Sequence, residues 1–85
     1  MTDAKTFKVK AFDGQEKEVK KITLFPEKDK SGEIFYKIEG WMNTSYCMIY
    51  FSYDRQQATE KYLELLEELI NFQVDNLTGA SFEKN

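Results

Sequence analysis

The chain has 85 residues, a formal net charge of −3, one cysteine and no histidine. A chain this short forms one domain around one modest core, and we expect its ordered part to extend over about residues 5–78. The lone Cys47 excludes an internal disulfide and predicts a reducing compartment, the cytoplasm. Residues 1–6 lack the apolar core of a signal peptide, and no apolar stretch is long enough to cross a bilayer.

The first predicted elements are two strands joined by a tight turn. Residues 6–12 alternate apolar and polar side chains with a period of two, which is typical of a strand with one buried face. The dipeptide Asp13–Gly14 follows, and glycine tolerates the positive φ that hairpin turns require. We therefore expect a β-hairpin here.

The second predicted strand covers residues 17–25 and contains a break in its alternation. Val19 lies in one phase and Ile22 in the other, so a β-bulge at the two lysines between them would turn both side chains inward. Pro26 cannot donate a hydrogen bond to a neighbouring strand and is expected to end this strand. The charged residues 27–32 then predict a solvated loop.

Two further strands are predicted before the helix. Residues 34–40 alternate cleanly, and Asn43–Thr44 provides turn chemistry before residues 45–52. This fourth strand is apolar on both faces. Its position is therefore expected to be central in the sheet or against a partner.

The best-defined element is a C-terminal helix. Asp54 and Gln57 have the spacing of a capping box, and Gly79 is a candidate stop. At 100° per residue the apolar side chains fall on one side. The predicted buried positions are Ala58, Tyr62, Leu65, Leu66, Leu69 and Ile70. The order β-β-β-β-α predicts an α+β fold, a four-stranded antiparallel sheet followed by one C-terminal amphipathic helix packed on one face.

The sequence lacks the usual catalytic groups of acyl and phosphoryl transfer, and its candidate carboxylate pairs, among Glu64, Glu67 and Glu68, lie on a predicted solvent face where nothing would desolvate them. There is no histidine, no glycine-rich phosphate loop and no G-x-S-x-G turn. One cysteine without histidine excludes an ordinary zinc site, and no segment has the spacing of a calcium loop. We therefore expect a protein that is not an enzyme, that has no cofactor or metal, and that works by binding.

An acidic stripe on the helix gives the first functional hypothesis. Four glutamates lie on the predicted solvent side and could meet a basic surface of another protein, since complementary charge speeds association and selects partners. Trp41, at a predicted turn, could anchor in a partner's pocket. The candidate contacts are Glu60, Glu64, Glu67, Glu68 and Trp41. The expectation is a modulator or inhibitor, of phage or mobile-element type, acting on a host nucleic-acid-handling protein.

The sheet face away from the helix gives the alternative hypothesis. Lysines alternate there with aromatic residues, a combination that holds single-stranded nucleic acid through phosphate neutralisation and base stacking. The candidate residues are Lys8, Lys10, Phe12, Lys21, Phe35 and Lys37. A second subunit could cover the same face, so a homodimer is also left open.

One stretch of the sequence resembles a known family. The residues Tyr36-Lys37-Ile38-Glu39-Gly40-Trp41 are similar in texture to the third strand of the positive-cofactor-four family of single-stranded-DNA-binding transcription cofactors, and the helix after Ser52 has the corresponding place. The resemblance implies a four-stranded antiparallel sheet followed by one helix. Glu39 stands where that family would have a positive side chain, so the resemblance implies no particular binding residues.

Overall fold

Five strands precede one helix in the computed structural model, which describes the backbone of residues 6–81 and the side chains of residues 6–75. The elements are β1 (Lys8–Lys10), β2 (Glu16–Glu18), β3 (Lys21–Lys28), β4 (Ile34–Trp41), β5 (Tyr46–Ser52) and α1 (Arg55–Ser81). The prediction of an α+β fold with one C-terminal helix is confirmed. The prediction of a single four-stranded sheet is wrong, because the strands form a two-stranded sheet, β1-β2, and a three-stranded sheet, β3-β4-β5, both antiparallel.

The predicted hairpin turn forms between β1 and β2. Gly14 has a φ of +90°, and its N–H donates to the carbonyl of Ala11 at 2.9 Å. The Asp13 carboxylate accepts the N–H of Gln15 at 3.0 Å, which closes the turn from the other side. Glycine is needed here because other residues rarely adopt a positive φ.

The chain changes sheets where a bulge was predicted. Val19 donates its N–H to the carbonyl of Phe7 at 3.0 Å, whereas Lys20 donates to Trp41 at 2.7 Å. Val19 therefore bonds to the residue before β1 of the two-stranded sheet, and Lys20 bonds to the last residue of β4 in the three-stranded sheet. The switch, not a bulge, turns both Val19 and Ile22 into the core, where they are 2% and 4% exposed.

Pro26 was predicted to end its strand, but the strand continues through it. It lies inside β3, opposite Tyr36 of β4. β3 is an edge strand of the three-stranded sheet, and edge strands are where a proline is tolerated within a sheet. β5 is also at an edge and β4 is central, so the first of the two positions expected for β5 is wrong, and its pairing with a partner stays a prediction.

The helix packs on one face of the three-stranded sheet, and the core lies between them. Its centre is Ile38 of the central strand, which is fully buried. The cluster contains Val9, Val19, Ile22, Ile38, Ile49, Leu65 and Leu69. Ile49 reaches it because the register between β4 and β5 shifts at Ile38/Glu39.

Half of the predicted capping box is present, since the Asp54 N–H donates to the hydroxyl of Ser52 at 2.9 Å and not to the Gln57 side chain. One carboxylate oxygen of Asp54 accepts the N–H groups of Gln56 at 2.9 Å and Gln57 at 3.3 Å, two donors that have no partner within the helix. At the other end, α1 continues past the predicted stop at Gly79 to Ser81. Among the described residues, no helix has the long apolar stretch that a bilayer-spanning segment needs.

The helix also exposes apolar side chains. Ile70 was predicted to be buried, but it is 47% exposed, and Leu63 and Val74 are 55% and 46% exposed. The reason is geometric: at 100° per residue, Ile70 points 140° away from Leu65, which faces the sheet. The buried side of α1 is therefore narrower than its apolar composition suggests.

Gly40 allows the two sheets to approach each other. It is buried on β4, and a Cβ atom at this position would lie 2.7 Å from Cγ1 of Val19 and 2.9 Å from Cδ1 of Ile49. Both distances are shorter than carbon atoms tolerate without displacement. The lack of a side chain at residue 40 therefore creates the space that Val19 fills.

The substitution Gly40→Ala tests this close approach. Because both neighbours are themselves buried and cannot move aside freely, we expect a loss of about 1–3 kcal/mol in the free energy of unfolding. Urea denaturation followed by circular dichroism measures it. Thr44→Ala in the exposed turn before β5 is the control and should stay within about 0.5 kcal/mol of the parent; an equally stable Gly40→Ala variant would show that the contact is not tight.

Candidate functional site

The sheet surface that faces away from α1 carries a concentration of aromatic rings. Alternate residues of β3, β4 and β5 point to this side, as the strand register shows. Phe12 from the hairpin and Tyr53 from the segment before α1 extend it. We call this surface the aromatic face. Its rings are Phe12, Phe25, Phe35, Trp41, Tyr46, Phe51 and Tyr53.

Four of these rings form one cluster around Phe51. Its centroid lies 5.4 Å from that of Phe12, 5.6 Å from Phe35 and 6.3 Å from Tyr53, in tilted or edge-to-face arrangements that aromatic pairs prefer. Phe12 is held there by its backbone, since its N–H donates to the carbonyl of Met48 at 2.9 Å. The hairpin thus places the Phe12 ring at the β5 edge of the three-stranded sheet.

A second group on the aromatic face is the pair Trp41 and Tyr46. Their centroids are 4.9 Å apart with an interplanar angle of 33°. The indole Nε1–H of Trp41 donates to the hydroxyl of Thr23 at 3.1 Å, and the Lys21 ammonium lies 5.8 Å from the indole centroid. Trp41 is nevertheless 37% exposed and Tyr46 is 56% exposed. Their contacts therefore fix the orientation of the two rings and still leave them accessible to solvent.

The charges on the aromatic face compensate one another. The Lys37 ammonium lies 2.7 Å from a Glu27 carboxylate oxygen and 3.7 Å from one of Glu39, which is itself buried. The hydrogen bond to Glu27 raises the pKa of Lys37 above its ordinary value. With Lys21, the strands present two lysines and two glutamates on this side, and their formal charges cancel.

Asp29 organises the turn that follows β3 and holds Tyr53 in place. Its carboxylate accepts hydrogen bonds from the Ser31 hydroxyl at 2.8 Å, the Tyr53 hydroxyl at 2.8 Å and the Glu33 N–H at 2.9 Å. These bonds lower the pKa of Asp29 to about 2, and the bond to Asp29 raises the pKa of Tyr53. Tyr53 is thereby fixed at the end of the aromatic face.

Four of the six residues predicted for nucleic-acid binding come together on the aromatic face. They are Phe12, Lys21, Phe35 and Lys37. The other two, Lys8 and Lys10, lie on β1 opposite Glu18 and Glu16. They line a cavity beside α1 with Lys61 and Glu68, on the helix side of the molecule.

The residues predicted for protein binding are divided between two surfaces. All four glutamates are exposed on α1, where the Lys61 ammonium lies 3.9 Å from the Glu64 carboxylate. Trp41 lies on the aromatic face, on the other side of the sheet. The predicted glutamate stripe and Trp41 therefore do not form one site.

Several rings of the aromatic face were not assigned to it from the sequence. Tyr46 and Phe51 lie on β5, where both phases are apolar and periodicity does not identify an outside. Phe25 is the last residue of the predicted strand 17–25, and alternation with Ile22 already places it outward, but it was not included among the candidates. The signal that would have found the two rings of β5 is the pairing register with β4, which places Tyr46 opposite Trp41 and Phe51 opposite Lys37.

Within residues 6–75, no three potential ligands from histidine, cysteine, aspartate and glutamate lie together as a metal site requires. Burial raises the pKa of the Cys47 thiol, which favours its unreactive protonated form. The chain matches no protein-family model, no curated protein and no solved structure. Its function is therefore inferred from its own residues.

The hydrogen bond between Tyr53 and Asp29 leads to a prediction about pH. Because the folded pKa of Asp29 lies below the ordinary 3.8, its ionised form stabilises the fold; this contribution is complete above about pH 4 and is lost as the pH falls toward 2. Removing the hydroxyl with Tyr53→Phe should raise the pKa of Asp29 toward 3.8. Carboxyl-carbon NMR titration measures the shift, and an unchanged pKa would contradict the role of Tyr53.

Proposed function

We propose that this protein is a non-catalytic protein-binding domain, a modulator or inhibitor that acts by covering a surface of its partner with the aromatic face. The observation that carries the proposal is the grouping of seven rings on one side of the sheet with mutually compensated charges. The fully buried centres of protein interfaces have this composition, rich in aromatic residues and depleted of charge.

Trp41 and Tyr46 are the proposed anchors. Tryptophan and tyrosine dominate the binding energy of many interfaces because they bury a large area with few rotatable bonds. The indole is already oriented by its hydrogen bond to Thr23 and by its contact with Tyr46. A partner would therefore meet rings whose side-chain freedom is already restricted, which lowers the entropic cost of association.

The balance of charge favours an apolar protein surface as the partner of this face. A nucleic-acid backbone requires an excess of positive side chains to replace its counterions. On the aromatic face Lys37 is engaged by Glu27 and Glu39, and a phosphate approaching it would meet both carboxylates. Beside a partner surface with few charges, the ion pairs of Lys37 with the two glutamates can stay formed, so they cost the complex little binding free energy.

Substituting the anchors should weaken the complex. We expect Trp41→Ala and Tyr46→Ala each to cost about 2 kcal/mol or more in binding free energy, roughly a thirtyfold loss of affinity. The partner is identified by affinity capture and mass spectrometry, purified, and titrated by calorimetry. Ile34→Ala is the matched control, since Ile34 is 45% exposed but points to the opposite side of the sheet.

The salt dependence separates this proposal from its competitors. Because the charges of the aromatic face cancel, the affinity should change little between low and physiological salt. Sub-micromolar binding of labelled oligo-dT that falls steeply with salt would contradict the proposal in favour of single-stranded nucleic acid. A dimer in sedimentation that Tyr46→Ala dissociates would instead assign this face to a second copy of the chain.

A further inference from the structure

The solvent side of α1 carries an apolar row that the fold does not use. The row consists of Leu63, Leu66, Ile70 and Val74, at successive steps of three, four and four residues. These steps keep side chains in line along one side of a helix. Leu66 is half-buried at the border of the core, whereas the other three are 46–55% exposed. Isolated exposed apolar residues are ordinary, but an aligned row over three turns is the pattern by which helices pair.

The apolar row has an acidic border on one side. Relative to Leu63 at 0°, rotation by 100° per residue places Glu67 at 40°, Glu60 at 60° and Glu64 at 100°, with Glu68 at 140°. All four are exposed. The opposite border holds Thr59, which is uncharged. The row is therefore asymmetric, with negative charge along a single edge.

We propose that the apolar row and its acidic border form a docking site for an amphipathic helix of a partner protein, one with aliphatic side chains on one face and lysine or arginine along one edge. This goes beyond the aromatic face, because the row lies on the other side of the molecule. The aliphatic side chains would pack on Leu63, Ile70 and Val74. The basic edge would lie along the glutamates and set the direction in which the partner helix binds.

The dimensions and charge of the row argue for this occupant. From Leu63 to Val74 the helix rises about 16 Å, the length that three turns of a partner helix cover. A second copy of the chain would bring the same four glutamates, and along residues 60–68 only Lys61 is basic. Like charges across such an interface are unfavourable, so the basic partner fits where an identical helix does not.

A designed peptide provides the probe. A fluorescein-labelled, helix-stabilised peptide of four turns carries leucines at i, i+3, i+4 and i+7 spacing and lysines along one edge, and it is titrated with the full chain by fluorescence anisotropy. We expect micromolar affinity that decreases with salt. Ile70→Ser should weaken it at least about tenfold. Trp41→Ala, on the aromatic face, should leave it unchanged, so this test does not depend on the proposed function.

Charge exchange then tests the acidic border. The variant in which Glu64→Lys and Glu67→Lys are combined should lose the lysine peptide and gain affinity for the same peptide with glutamates in place of the lysines. Circular dichroism confirms that each variant remains folded, which is expected because the substituted side chains are exposed. A switch of preference between the two peptides would establish that the edge recognises charge.

Several results would overturn the proposal. A scrambled peptide of equal composition that binds equally well would indicate charge attraction without helix docking. Binding unaffected by Ile70→Ser, or lost in Trp41→Ala, would place the peptide elsewhere. A dimer in sedimentation that Ile70→Ser dissociates would show that the row is occupied by a second copy. No binding of the lysine peptide in the micromolar range would contradict the site itself.

Discussion

The close contact between Gly40 and Val19 is the constraint on which the remaining structure depends. Because residue 40 has no side chain, Val19 can lie against the central strand, with its Cγ1 atom 2.7 Å from the point that a Cβ of residue 40 would occupy. Val19 in turn is the point at which the chain leaves one sheet for the other. The hairpin is thereby packed against the core beside α1, and Phe12 is brought to the edge of β5. One small residue thus determines how two sheets share a single core.

The second consequence is a molecule with two different exposed sides. The helix covers only the inner face of the three-stranded sheet, so the outer face is left with its rings in contact with one another. The charges there are paired within the face, through Lys37 and its two glutamates, whereas the glutamates of α1 border an apolar row and face few basic side chains. The electrostatics of the aromatic face therefore favour a partner surface with few charges, whereas those of α1 favour a basic partner surface. Both proposals follow from this difference in electrostatics.

Much of this arrangement was predictable from local signals, and the remainder was not. The alternation of residues 34–40 correctly predicted the inner and outer sides of β4, and Asp54 correctly predicted the start of the helix, because strand pleat and helix capping are local effects. The sheet change at Val19 was missed, since a bulge and a change of sheet produce the same shift in the apolar pattern. The continuation of the strand through Pro26 depends on its edge position, which is a tertiary property. For the site, Phe35 and Lys37 were predictable from alternation, but the rings of β5 required the pairing register.

The central claim is that the aromatic face is where the protein meets its partner, and the intrinsic fluorescence of Trp41 tests it most directly. Trp41 is the only tryptophan in the sequence and is partly exposed. In a complex with a purified partner that lacks tryptophan, its emission should shift to shorter wavelength and its quenching by acrylamide should decrease, because the indole leaves water. An unchanged spectrum and unchanged quenching at saturating partner would contradict the account.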